Sequence, residues 1–325
     1  MLTPPVLRAC AVRVPCSTSN LGAGFDCLGL AFDRYLDAGF EPGGGPSDSP
    51  PDIRRGGTLA GLDIAPADDV FILAFRAELR RRGAPPGGVL FITSEIPVGR
   101  GLGSSGAAVV AGIALAAAAC GDTLDLDMAL AAAVRLEGHP DNAAPALFGG
   151  LTAVTYTEHS TPRAMRLPLS RNISWVFAAP DATVSTARAR AALPQQVPHS
   201  AAVRNTSRMA ALLYGLANAD RAAVAAGFND ELHVPYRLPL IPGSRDALDA
   251  ATGAGAWAAT ISGSGSGLLA ACPAGREPAV LDAMCRSFRQ GGHGGDGFVV
   301  RPDAHGVQPR DILTLRTSMQ DGGRR

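Results

Sequence analysis

The densest chemistry in the chain lies in Pro97, Val98, Gly99, Arg100, Gly101, Leu102, Gly103, Ser104, Ser105, Gly106 and Ala107. The glycines let the backbone come close to a ligand. The Ala-rich apolar run from Gly106 to Cys120 reads as a helix, and VLFITSEIP at 89–97 reads as a strand. Strand, glycine loop, helix is an anion-binding order, because the first N–H groups of a helix have no intrahelical partner. GLGSSG also fits the dinucleotide pattern G-x-G-x-x-G. That reading fails on context: Asp122 and Asp125, the acids about 20 positions on, fall between two helices, and no strand-helix-strand unit is read ahead of the loop. Neither Ser104 nor Ser105 has the G-x-S-x-G frame of a hydrolase nucleophile. A plain turn would account for the glycines but not for the paired serines.

Two further clusters carry polar groups where apolar segments end. Between Val14 and Asp33, Asn20 and Asp26 sit in a glycine-containing turn, which ordinary turn chemistry would also explain. Glu137-Gly-His-Pro-Asp-Asn142 packs polar side chains together, with Pro140 barring helix continuation. One carboxylate there can bind Mg²⁺, and a capped helix end followed by a turn is the alternative. All 29 basic residues are Arg. Genomic codon bias is the plainer reason, but the consequence is chemical: without Lys there is no Schiff-base chemistry and no Walker A lysine, so phosphate must be held by Arg, backbone N–H groups and a metal.

The elements that position these groups follow from pattern. Residues 8–16 and 27–40 read as strands, Glu41 to Asp52 as an exposed loop, and the stretch after Asp68 and Asp69 as a helix ending near Gly83. A second Ala-rich helix covers about 127–137, and a strand returns near Leu151 to Tyr156. Further on come a strand at WVFAAP, a loop carrying Arg188 and Arg190, helices within 200–227, a strand pair around Gly255 to Cys272, a helix near Glu277 to Arg289, and FVVR as the last strand. The stretch GGHGGDG and the tail SMQDGGRR carry no packing signal. These elements predict an α+β chain in two strand-rich halves with a boundary near residue 160.

Composition narrows the partners. The 325 residues balance 29 basic against 29 acidic side chains, so no field of one sign calls for nucleic acid or an anionic membrane. The longest apolar run, 106–120, is shorter than the roughly 20 residues of a membrane span. Six cysteines show no zinc-ligand spacing, and the opening residues show no signal-peptide core. Both predict reduced thiols and a cytoplasmic location.

Together with Ile261-Ser-Gly-Ser-Gly-Ser-Gly267, these segments resemble the three signatures of the GHMP family of small-molecule kinases, in order. STSNLGAGFDCLGLA, EGHPDNAAPALFGG, TARARAALP and HVPYRLPLIP are similar to its homoserine-phosphorylating branch in particular. The resemblance implies an N-terminal domain like ribosomal protein S5 domain 2 over 1–160, a ferredoxin-like C-terminal domain over 161–310 and a tail over 311–325. It implies ATP-dependent phosphorylation of the L-homoserine hydroxyl, with a homodimer left open. By the same resemblance, residues 97–107 match the ATP phosphate loop, and Ser105 and Glu137 the Mg²⁺ pair. Asn20, Asp26, His139, Asn142, Thr186, Arg190 and Arg237 match the amino-acid pocket, with Asp26, Glu137 and Arg190 as the catalytic set. Three positions depart from the family: Gly106 stands where Ala is usual, SGSGSG where SGAGPT is usual, and Asp69 where an adenine-side Asn is expected. A GHMP kinase for another small alcohol is the nearest rival. A non-catalytic nucleotide- or RNA-binding protein is a more distant one, disfavoured by the neutral charge.

Overall fold

Strand β1 (Cys10–Ser19) buries Val12 and Val14 among the main core, and β2 (Leu28–Glu41) answers it antiparallel with Val12 opposite Ala38. The computed structural model describes residues 5–43, 52–85 and 87–321. Most of the loop expected over Glu41 to Asp52 falls outside them, as do the last four residues of the tail. The 14-residue β2 serves two neighbours: its first part pairs with β5 (Leu151–Tyr156) and its second with β4 (Val89–Ser94). The first sheet is thus seven-stranded, ordered β11 (Gln308–Arg310), β1, β2, β4, β3 (Asp52–Gly57), with β5 joined at the start of β2 and β6 (Pro162–Leu167) paired to β5.

β3 (Asp52–Gly57) and β4 are parallel neighbours linked through helix α1 (Val70–Arg81). A strand-helix-strand unit therefore does precede the glycine loop, contrary to the expectation. It escaped notice because IRRGG has neither apolar alternation nor β-branched bulk beyond Ile53. The other ground against a dinucleotide fold stands, since Asp122 and Asp125 join α2 (Ser104–Cys120) to α3 (Leu126–Glu137).

Helix α2 is apolar on every side and lies at the centre of the first core, touching α1, α3, β1 and β2. Its small side chains permit that crowding. A Cβ on Gly112 would lie 2.6 Å from the Phe71 carbonyl oxygen and 2.9 Å from Ala74 Cβ, so α1 and α2 cross almost backbone to backbone.

The second sheet comprises β7 (Ile173–Ala179), β8 (Ala258–Ile261), β9 (Leu268–Pro273) and β10 (Asp296–Val300), in the order β10-β7-β9-β8. Counted along the chain this is 4-1-3-2, all antiparallel, with helices between the first and second strands and between the third and fourth, which is the ferredoxin-like arrangement. Alternation gives each face a partner. Trp175, Phe177, Leu269 and Ala271 join the main core, whereas Val176, Ala178, Leu268 and Ala270 pack with α9 (Ser244–Gly253) and α10 (Glu277–Gln290). Between β7 and β8 the chain also forms α6 (His199–Asn218), α7 (Arg221–Phe228) and α8 (Val234–Arg237).

The sequence reading needs correction in several further places. Arg188 and Arg190 stand on a helix, α5 (Thr186–Ala191), capped by the Ser185 hydroxyl, and Ala143–Phe148 forms α4. Six residues are too few for a 3.6-residue period to show. The stretch GGHGGDG ends inside β10, which takes in its Asp296 and Gly297, and FVVR is not the last strand, because β11 (Gln308–Arg310) returns to pair with β1. Finally, Ile312–Asp321 is a helix, α11, not an unpacked tail. Leu315 is fully buried against Ala11 and Phe91, the side of the first sheet opposite α2. β6 and residues 308–321 also belong with the first sheet, beyond the boundaries expected from sequence.

Burial of Leu315 sets a test of that docking. Leu315→Ala should cost about 2–3 kcal/mol of unfolding free energy, and Leu313→Ala, which is 67% exposed, under about 0.5 kcal/mol. Urea denaturation of the two variants measures the difference, and equal midpoints would mean α11 contributes no packing.

Candidate active site

Where the two sheets meet, a cavity of ≈ 360 Å³ opens between the glycine loop, the turn after β1, the start of α5 and the loop before β9. The glycine loop is seated by contact. Gly103 has φ +64°, and a Cβ there would lie 2.4 Å from Ser17 Oγ and 2.7 Å from Asn142 Oδ1. A Cβ on Gly101 would lie 2.1 Å from the Ser262 carbonyl oxygen. Both positions must therefore be glycine. Gly103 is also the N-cap of α2, leaving the first N–H groups of that helix at the cavity mouth. Pro97, Val98, Gly99, Gly101, Gly103, Ser104 and Ser105 line the cavity. Arg100 turns away and donates to the Pro180 carbonyl, while Leu102 and Ala107 are fully buried in the core.

Glu137, the last residue of α3, accepts a hydrogen bond from Ser105, and its Oε2 is buried without a partner. Burial pushes its carboxyl above the usual carboxylate range. Gly106 lies beside it, where a Cβ would stand 3.2 Å from Oε2. Among the described residues no three His, Cys, Asp or Glu side chains form a complete metal cage. Glu137 with Ser105 suits Mg²⁺, which takes one or two protein ligands and completes its shell with phosphate oxygens and water.

Beside the part of the cavity wall formed by Arg190 and Arg237 the site is amphoteric, with Asp26 behind Arg190. Asp26 has φ +52° in the turn after β1, a left-handed conformation that costs a non-glycine residue about 1 kcal/mol or more. Its two oxygens accept from Arg190 Nη1 at 3.0 Å and Nη2 at 2.8 Å. Arg237 is 1% exposed: Nε donates to the Ala189 carbonyl at 3.3 Å, the guanidinium lies 4.9 Å from the Phe25 ring centroid, and Nη1 has no partner. Burial, followed by the charge of Arg190, pulls its pKa down from that of a free guanidinium. His233 stacks on Phe25 at 5.0 Å, and burial keeps its imidazole below its ordinary pKa.

The other expected residues also gather here, some with their polar atoms already engaged. Asn20 Nδ2 donates to the Gly263 carbonyl at 2.9 Å, and its Oδ1 accepts from the Asp26 N–H at 3.0 Å. Asn142 accepts from Ser17 Oγ and donates to Ser19 Oγ. These two amides brace the site while lining it. Thr186 Oγ1 lies 3.3 Å from Ser264 Oγ, also on the wall. His139 Nδ1 is 3.1 Å from Asp141 Oδ1, a contact that raises the imidazole pKa.

Sequence reading passed over Asp141, which is 2% exposed, although it stands inside the segment singled out at 137–142. It also passed over Gly263, Ser264 and Gly265 as wall residues, despite the repeated Ser-Gly pattern that marks them.

Comparison with known proteins places this geometry. Residues 69–150 match the family described as GHMP kinases N terminal domain, and residues 212–290 the one described as GHMP kinases C terminal. A homoserine kinase of Prochlorococcus marinus (strain MIT 9313) is 37% identical over 99% of this chain and 97% of its own length. One from Moorella thermoacetica is 40% identical over 86% and 93%. Among solved structures, a homoserine kinase from Cytophaga hutchinsonii superposes with a TM-score of 0.82 at 27% identity, covering 95% of this chain and all of that one. An L. major mevalonate kinase shares the fold, with a TM-score of 0.68 at 16% identity over 93% of this chain and 99% of that one. With both family segments matched and full-length relatives this similar, the chain belongs to the GHMP kinases, in the branch made up of homoserine kinases.

Proposed function

We propose that this chain transfers the γ-phosphoryl group of ATP to the side-chain hydroxyl of L-homoserine, giving O-phospho-L-homoserine, a step of threonine biosynthesis. The observation that carries the reading is a single cavity with a helix N-terminus and glycine loop on one wall and, beyond it, a buried guanidinium with a free Nη1 next to an Arg-Asp pair. The glycine loop suits phosphate. The amphoteric part suits a zwitterion, because a guanidinium fork matches a carboxylate and a carboxylate matches an ammonium. The six thiols are unpaired, which favours a reducing compartment such as the cytoplasm.

In the reaction the homoserine hydroxyl oxygen attacks phosphorus, the bond to the β,γ-bridging oxygen breaks, ADP departs and the hydroxyl proton is released. The transition state is loose, so positioning and charge stabilisation supply most of the acceleration. Arg237 Nη1 takes the substrate carboxylate. Asp26 holds its ammonium, and Arg190, released from Asp26 in part, turns a donor toward substrate or phosphoryl oxygen. The N–H groups at the start of α2 hold the phosphates. Glu137 Oε2 and Ser105 Oγ would hold Mg²⁺, which would supply neutralisation of the triphosphate charge.

Three substitutions test these roles. Glu137→Gln should lower kcat/KM by about 10²-fold or more at ordinary Mg²⁺, from lost metal holding worth several kcal/mol. Steady-state ADP release measures it, and wild-type turnover would sink the assignment. Arg237→Lys should raise KM for homoserine about tenfold or more with KM for ATP unchanged, since a lysine amine buried at this depth is pushed toward its neutral form and, charged or not, lacks the planar fork of a guanidinium. A rise confined to the ATP KM would move Arg237 to the nucleotide side. Asp26→Asn should weaken homoserine binding and slow turnover without abolishing the chemical step. In single-turnover kinetics at saturating homoserine, a loss approaching about 10⁴-fold, with disappearance of a basic pH limb, would instead make Asp26 the general base.

A further inference from the structure

The turn that carries Asp26 is held from outside. Gly22–Gly24 form one 3₁₀ turn flanked by left-handed backbone at Leu21 and Asp26, a strained arrangement that persists only where its surroundings impose it. Three neighbours from the stretch 205–233 do so. Asn205 of α6 donates through Nδ2 to the Ala23 carbonyl at 3.1 Å. The end of α7 presses on Gly22, where a Cβ would lie 2.6 Å from both the Gly227 carbonyl oxygen and Phe228 Cα. The third is His233, wholly buried at the N-cap of α8. Its Nε2 lies 3.0 Å from the Gly22 carbonyl oxygen, and its ring stacks on Phe25 at 5.0 Å with an interplanar angle of 21°. It thus meets the turn twice, at Gly22 and at the residue just before Asp26.

We infer that His233, as its neutral Nε2–H tautomer, is the positioning residue that sets the place of Asp26 relative to Arg237, and with it the grip on the acceptor amino acid. The inference rests on the proposed function and adds a residue outside the cavity wall. The tautomer follows from the partners. A backbone carbonyl only accepts, so Nε2 carries the proton, and Nδ1, buried without a partner, is the bare nitrogen. Burial and the charge of Arg237 favour the neutral ring against the opposing pull of Asp230 and Asp26. Asp230 fixes where the ring starts, because its Oδ2 accepts from the N–H groups of His233 and Val234, both at 2.7 Å. Arg237 refers to the same residue. Its N–H donates to the His233 carbonyl at 3.0 Å, and its guanidinium lies 4.9 Å from the centroid of the Phe25 ring on which His233 stacks. One residue therefore holds the carboxylate-bearing turn through its side chain and the guanidinium-bearing turn through its backbone. The spacing between the two groups proposed to take the substrate's charges is set there.

Two amide substitutions test the reach of that donor. A glutamine can place its side-chain N–H group where Nε2 stands, whereas an asparagine stops one bond short. His233→Gln should keep the homoserine KM within about threefold of wild type, and His233→Asn should raise it about tenfold, with the ATP KM unchanged in both. Equal homoserine KM values in the two variants, or an ATP KM that rises alongside, would overturn the inference and leave His233 a packing residue of α8. Nitrogen-15 spectra of the wild-type imidazoles supply a second measurement that needs neither substrate nor variant activity. The resonances of His233, identified by their loss in His233→Gln, should show a protonated Nε2 and a bare Nδ1 at neutral pH. An Nδ1–H tautomer or an imidazolium there would also overturn the inference, and this spectrum decides if His233→Asn fails to fold. A wild type that releases no ADP with homoserine would sink the acceptor assignment instead, with the spectrum still judging the contact to Gly22.

Discussion

The site depends on a short hydrogen-bond relay that ties its two halves together. Ser262 Oγ donates to the Gly101 carbonyl at 2.7 Å and meets Thr18 Oγ1 at 2.8 Å, while the Gly263 N–H donates to the Ser19 carbonyl at 3.2 Å. The end of β1, the phosphate loop and the loop before β9 are thereby locked at one point. A Cβ on Gly263 would sit 2.9 Å from the Gly101 oxygen, so the two glycine-rich segments touch through backbone alone. Buried hydroxyls in such a relay are fully bonded, which makes the geometry costly to distort. The SGSGSG run therefore holds the phosphate loop in place from the second sheet, and residues 263–265 form cavity wall as a by-product.

Around that lock the acceptor pocket keeps its charges balanced. Asp26 and Arg190 satisfy each other; under the proposed function a zwitterion would carry the same two charges in reverse, so its binding would exchange one ion pair for two without leaving a charge unpaired. Each side chain of the pair is only 36% exposed, enough for water to soften the exchange. Positive φ at Asn20, Leu21 and Asp26 shows where the backbone bends to present that carboxylate, and the Asn20 side chain holds the bend by accepting from the Asp26 N–H. Strain and brace occur in the same turn.

Much of this was legible in the residues. The phosphate loop, the helix behind it and the acidic end of α3 could be read because glycine spacing, apolar runs and proline are local signals. The pairing of Asp26 with Arg190 could not, since the two are 164 positions apart and meet only through the packing of both sheets. Helices of six residues, an edge strand written IRRGG and a C-terminal helix with a single fully buried leucine leave too little periodicity to detect. Asp69 stands out in the sequence as a change of residue type, but its ion pair with Arg55 of β3 is made only when the N-terminus of α1 packs beside that strand.

The all-arginine composition acquires a physical meaning at Arg237. The side chain is almost wholly excluded from water, and burial with the like charge of Arg190 pulls its pKa down. A guanidinium starts above about 12 and tolerates such a fall while remaining charged. A lysine at the same depth starts about two units lower and, once buried, reaches pKa values of about 5–6 in documented cases, where it is neutral at physiological pH. A cation can thus be kept this deeply buried, against Phe25, far more readily if it is arginine. Codon bias can account for the absence of lysine elsewhere on the surface, but at this position burial itself favours the guanidinium.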